Sequence, residues 1–156
     1  MDAHDYGPEM GAEWRGQLRT MQIIAGALVV GPATYAAITV LSFEGANDSL
    51  GQTGMMAIGF AAVTIVVSFI VPGTIGKVSE GGSPTALMAV CQTRLIVKLA
   101  LLEAAAFFNI IALHMEHNWW SLAAAILLMI LMLASFPTRS KIAFWVQTQK
   151  EMSSLD

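Results

Sequence analysis

Residues 93–113 read TRLIVKLALLEAAAFFNIIAL, running from Thr93 to Leu113 around a single carboxylate, Glu103. A bilayer core of about 30 Å is crossed by roughly 20 helical residues at about 1.5 Å each. Counting about ten residues each way from Glu103 reaches Arg94 at one edge and passes Leu113 to His114 and Glu116 at the other. The polar boundaries therefore place Glu103 close to the bilayer midplane. Lipid cannot hydrogen-bond an open backbone, so the stretch must be a helix that satisfies its own amides. Nothing in the chain alternates in the short segments that a membrane barrel needs.

Three more apolar stretches flank this one. Together the predicted spans are Met21 to Leu41, Thr53 to Val71, Leu87 to Leu113 and Trp119 to Phe136. The composition agrees: 56% of the 156 residues are hydrophobic and 12% are charged, where a soluble domain carries about 25% charged residues. Mean hydropathy is +0.64. The expected fold class is all-α, an integral membrane four-helix protein made of two tandem helical hairpins. Its divisions are a cytoplasmic segment 1–20, a first transmembrane hairpin 21–72, a cytoplasmic loop 73–86, a second hairpin 87–137 and an interfacial or cytoplasmic segment 138–156.

The boundaries have local causes. Ser42 to Asp48 is a polar turn, Pro72-Gly73 is expected to stop the second span, and Gly81-Gly82-Ser83-Pro84 precedes the third. The connection His114 to Asn118 is too short for anything but antiparallel neighbours, and Pro137 follows the fourth span. Beyond it, Ile142, Ala143, Trp145 and Val146 set an apolar side against Lys141 and Gln147, as in a short interfacial helix.

Arg15, Arg19, Lys77, Arg94, Lys98, Arg139, Lys141 and Lys150 all fall on one side of this topology, and the opposite loops carry no basic residue. The positive-inside rule makes that side cytoplasmic, so both termini are expected inside, in a bacterial cytoplasmic (inner) membrane. Trp119 and Trp120 then belong to the outer aromatic belt. No basic segment precedes a short apolar run and a small-residue cleavage site, so the first apolar stretch reads as a retained span. The net charge of −3 offers nothing to nucleic acid. Cys91 is the one cysteine, which excludes an intramolecular disulfide. The ten methionines read as lipid-facing or packing residues.

A carboxylate at mid-span costs about 2.5–3.5 kcal/mol on insertion scales when ionised. Lys98 is five positions before it, about 140° around the helix, so an intrahelical pair is poor. Three readings stay open for Glu103: a proton or cation site, a protonated hydrogen-bonded assembly contact, and a charge pair with Lys98 of a neighbouring subunit. Thr34, Tyr35, Thr39, Thr64 and Ser68 are the candidate partners from the first two spans. Asn109 reads as interhelical glue, Arg94 and Lys98 as topology and anionic-lipid anchors. Ala27 with Gly31 and Ala100 with Ala104 are small-xxx-small pairs suited to helix packing. Pro32 removes the donor to the Leu28 carbonyl and is a candidate kink. His114 and His117 flank Glu116, but a lone pair of imidazoles without a third fixed ligand makes a weak metal site. No nucleotide loop, nucleophile elbow or metalloprotease pattern occurs, so neither an enzyme nor a cofactor is expected.

Shifted by 73 positions, the first span overlays the third: Thr20 meets Thr93, Ile23 meets Ile96, Ala27 meets Ala100, Leu28 meets Leu101, Ala33 meets Ala106 and Ile38 meets Ile111. Val30 stands where Glu103 would. The stretch Leu99 to Leu113 resembles the carboxylate-bearing helix of the rotary ATP synthase and ATPase proteolipid, the subunit c family. That resemblance implies a ring of hairpins in which Glu103 carries a proton or sodium ion. The vacuolar-type proteolipid, with four spans from duplicated hairpins, is similar in lacking one carboxylate. The second span has only Gly54 and Gly59 where the family has a glycine ladder, and the loop 73–84 has no Arg-Gln-Pro. The stretch Leu18 to Ile24 is also similar to small bacterial four-span membrane proteins, for which no activity is implied. The expected function is a non-catalytic membrane module, partnered by the lipid bilayer and by copies of itself or other membrane subunits. The alternative is a proteolipid-like ion-translocating ring subunit using Glu103.

Overall fold

A computed structural model describes residues 8–42, 45, 48–75, 84–142, 144 and 148. Four helices follow in chain order: α1 (Pro8–Leu41), α2 (Gln52–Thr74), α3 (Pro84–Glu116) and α4 (Trp119–Ala134). Three of them contain stretches long and apolar enough to cross a membrane, Trp14–Leu41, Gln52–Thr74 and Met88–Glu116. The chain is thus an all-α, multi-spanning membrane protein. The fourth helix is apolar but has 16 residues, about 24 Å at 1.5 Å per residue.

Observed bounds differ from expectation for physical reasons. Helix α1 begins 13 residues before Met21, because Trp14, Leu18 and Met21 share a face and pack with Met88 and Ile142. Helix α2 does not stop at Val71. Pro72 sits in its last turn, where the chain is about to leave the helix and one lost donor is tolerable, and the helix ends at Thr74. Helix α3 runs from Pro84, a residue suited to a first turn, past Leu113 to Glu116. Helix α4 stops before Ser135, whose N–H returns to the Leu131 carbonyl. Residues 139–142 are helical again, and Ile142 is buried with Leu18, Met21 and Met88 rather than facing lipid. Ala143, Trp145, Val146, Lys77 and Lys150 lie outside the described residues, as do most of the polar turn and the loop after Ile75.

Packing is organised by α3, which lies against all three other helices, whereas α1 scarcely meets α2. The first pair is a hairpin by chain order more than by contact. Without a hydrophobic drive between helices in lipid, close approach depends on small side chains. The main core accordingly combines Ala25, Ala61, Ala105 and Ala106 with Leu99, Leu102, Leu128 and Met132. Large apolar residues such as Ile23, Val30, Val63, Phe69 and Ile70 point outward. The expected small pairs prove misplaced in part: Ala27, Ala100 and Ala104 are exposed, and the seams use Ala57, Ala61 and Ala105 instead. Hydropathy is uniform around each helix, so pattern alone does not tell a packed alanine from one facing lipid.

The 73-residue offset aligns the burial of α1 and α3 only in part: Pro32, Ala36 and Thr39 fall on the buried Ala105, Asn109 and Ala112, whereas the buried Leu18, Met21 and Ala25 fall on the part-buried Cys91, Arg94 and Lys98.

Candidate functional site

Each end of the bundle is tied by polar side chains that cap helices other than their own. At the end where α1 and α3 begin, Arg94 Nε donates to the Ile75 carbonyl just past α2 at 2.9 Å. Lys141 Nζ donates to the Ala134 carbonyl at the end of α4 at 2.6 Å, and Gln22 Nε2 to the Pro137 carbonyl at 3.1 Å. Cations at helix C-termini satisfy orphan carbonyls and oppose the helix dipole. Arg94 and Lys141 therefore have capping work besides any part in topology, a role set by tertiary placement.

The opposite end is held by Glu116. Gly51, the N-cap of α2, supplies no capping side chain. Instead Glu116 Oε1 accepts from the Thr53 N–H at 2.7 Å and Oε2 from the Gly54 N–H at 3.0 Å. Asn118 Nδ2 also donates to Oε2 at 3.2 Å, while Asn118 Oδ1 accepts from Ser121 N at 2.7 Å and caps α4. His117, with φ of 51°, makes the turn that lets one carboxylate and one amide serve two helices. Room for the carboxylate comes from the absence of side chains. A Cβ on Gly51 would lie 2.5 Å from Glu116 Oε1, and one on Gly54 would lie 2.7 Å from Oε2. His114 and His117 are exposed beside this clasp. Among the described residues no three His, Cys, Asp or Glu side chains gather as metal ligands.

The residues singled out in the sequence divide between two seams of α3. Glu103 is half-buried and faces α1: a Cβ on Gly31 would sit 3.5 Å from its Oε1 and 3.5 Å from the Phe107 ring. Tyr35 joins this seam, its ring centroid 6.1 Å from that of Phe107. Helix α1 is continuous through Pro32, which is buried in the interface. Lys98 and Asn109 belong to the α2 side. The Lys98 ammonium lies 4.3 Å over the Phe69 ring, and the fully buried Asn109 donates to the Ala57 carbonyl at 3.1 Å and to the Ala105 carbonyl at 2.9 Å. Asn109 thus bonds α3 to α2 directly.

Glu103 and Lys98 therefore face different helices. The candidate hydroxyl partners are placed elsewhere too: Thr34 is exposed, Thr39 Oγ1 is buried without a hydrogen bond, and Ser68 bonds the Ile65 carbonyl. Among the described residues Glu103 has no hydrogen-bonding or ionic partner. It borders the exposed Ala100 and Ala104 on the surface of α3. Comparison with protein-family models, with curated proteins and with solved structures finds no match. The proteolipid resemblance accordingly rests on the stretch Leu99 to Leu113 alone.

Proposed function

We propose that this chain is a non-catalytic membrane module that assembles with copies of itself or with other membrane subunits through the α1–α3 face. The supporting observation is Glu103, half-exposed beside Gly31 with no partner among the described residues. A carboxyl near the midplane of a bilayer is expensive unless protonated and hydrogen-bonded or paired. A second protein supplies that partner more readily than lipid does. The neighbouring exposed residues Ala27, Ala100 and Ala104 allow another helix to come close. In this reading all four helices cross a bacterial inner membrane as two hairpins, with both termini cytoplasmic. Helix α4 completes its shorter crossing with Trp119 and Trp120 at the outer headgroups.

Ion translocation by Glu103 has less support. An exchangeable ion site needs oxygen ligands converging on the carboxylate, whereas Glu103 lies beside Gly31 of α1 and the Phe107 ring of its own helix and has no hydrogen-bonding partner among the described residues. The two readings separate by experiment. The intact chain in mild detergent is expected to sediment as a discrete multimer that Glu103→Gln retains and Glu103→Leu loses. A clean monomer overturns self-assembly. Selective, pH-dependent labelling of Glu103 by a hydrophobic carbodiimide, abolished in Glu103→Gln, transfers the weight to an ion-exchanging carboxyl.

A further inference from the structure

Two clefts open at the basic end of the bundle, on either side of Cys91 and Leu95. The larger, about 430 Å³, lies between α2 and α3 and is lined by Phe69, Pro72, Arg94 and Lys98 among others. The smaller, about 170 Å³, lies between α3 and the chain that follows α4 and reaches Lys141. Three cations thus border two adjoining clefts, and among the described residues no carboxylate lines either of them. The cations are held in place. Arg94 is fixed on the Ile75 carbonyl, Lys141 on the Ala134 carbonyl and Lys98 over Phe69.

Depth identifies the anion. Arg94 is nine positions from Glu103, about 13.5 Å along the helix, close to the half-thickness of about 15 Å at which hydrocarbon gives way to headgroups. Lys98 starts deeper, and its stem can rise toward the same plane. A phosphate at that level meets a cationic rim. The chains attached to it continue along apolar wall supplied by Phe69, Pro72 and Leu95. A free anion would use the rim and leave the wall wet, whereas an amphiphile uses both.

We infer that the paired clefts around Cys91 and Leu95 form a binding site for an anionic glycerophospholipid, its phosphate held by Arg94 and Lys98 and its acyl chain laid along Phe69 and Leu95. Lys141 extends the cationic rim into the second cleft. The larger cleft, with Arg94 and Lys98, is on the α2 side of α3, away from Glu103, whereas the smaller one also touches Met21 of α1.

Native mass spectrometry of the full chain, released from detergent with equal amounts of phosphatidylglycerol and phosphatidylethanolamine, tests the assignment. Phosphatidylglycerol is expected to be retained preferentially. Lys98→Gln is expected to lower that retention about fivefold, as for one cation near a membrane surface at ~1 kcal/mol. Leu95→Trp fills the shared wall while leaving every charge, and is expected to lower retention of both lipids. Arg139→Gln, exposed and outside the clefts, leaves retention unchanged. Unaltered helical circular dichroism identifies variants that still fold. Equal retention of the two lipids, indifference to both Lys98→Gln and Leu95→Trp, or displacement of the lipid by millimolar inorganic phosphate overturns the proposal.

Discussion

Adding one methyl group to Gly54 tests whether Glu116 holds together the end of the bundle where α2 and α4 begin. Two effects oppose each other in Gly54→Ala. Alanine gains helix propensity over glycine, up to about 1 kcal/mol. Against that, the new Cβ would lie 2.7 Å from Glu116 Oε2, 2.9 Å from Asn118 Nδ2 and 2.9 Å from a Leu50 methyl. All three atoms end side chains, but two of them are pinned: Oε2 accepts from the Gly54 N–H itself and from Asn118, and the Asn118 side chain caps α4. Moving them dismantles the clasp. Overpacking of a closed site costs about 1–3 kcal/mol, so sterics outweigh propensity and the variant is less stable.

The same helix contains its own control. Gly59 is exposed and has no atom within 4 Å of a Cβ built on it, so Gly59→Ala keeps the propensity gain without the clash. Reversible unfolding in mixed detergent micelles, followed by far-ultraviolet circular dichroism, compares them. Gly54→Ala is expected to unfold at lower denaturing-detergent fraction than the wild type, and Gly59→Ala at equal or higher fraction. In a Glu116→Ala background the Gly54→Ala penalty should shrink, because its main obstacle is gone. Equal behaviour of Gly54→Ala and Gly59→Ala, or a penalty unchanged by Glu116→Ala, refutes the clasp.

Two other outcomes follow from the geometry. Asn109→Ala removes the buried bond to the Ala57 carbonyl and is expected to cost about 0.6 kcal/mol and at most about 1.7, the average and maximum for interhelical hydrogen bonds in lipid; the same unfolding assay reads it, and an unchanged midpoint counts against Asn109 as the tie between α2 and α3. Single cysteines placed at Arg15, Asp48 and Arg139 in a Cys91→Ser background are expected to react with a membrane-impermeant thiol reagent from one side for Arg15 and Arg139 and from the other for Asp48; labelling of Arg15 and Arg139 from opposite sides would mean that the bundle does not return its ends to the same face.

How far such features are readable depends on whether a residue's role is local or is set by a distant neighbour. The apolar runs and the short turn before Trp119 are local, and a helix lies over each of the four runs, with bounds that differ at α1, α2 and α3. The early start of α1 was available in the same terms, since Trp14, Leu18 and Met21 follow helical spacing. Partner choice is different. Lipid and a packed neighbour are both apolar, so a hydrophobic pattern tells a helix that it is in the membrane but not which side meets protein. Size separates them, as the buried alanines and outward Ile23, Val63 and Ile70 show. Even size is ambiguous, because Ala100 and Ala104 are small and yet exposed. The polar residues divide in the same manner. Asn109 was legible as glue because a buried amide in lipid has to find a carbonyl. Glu116 was not, because its partners Thr53 and Gly54 lie more than sixty positions away and the two glycines that admit it carry no side chain to advertise the contact. Glu103 is the converse: its place amid an apolar run was legible from its own helix, but its lack of a partner emerges only when α1 is laid beside it. Both glutamates lie on α3, and the difference between them is whether this chain supplies what a carboxylate needs. For Glu116 it does, with two backbone N–H groups and an amide. For Glu103 the described residues offer Gly31 and an aromatic edge and no such donor, and that is the group the proposed assembly would supply.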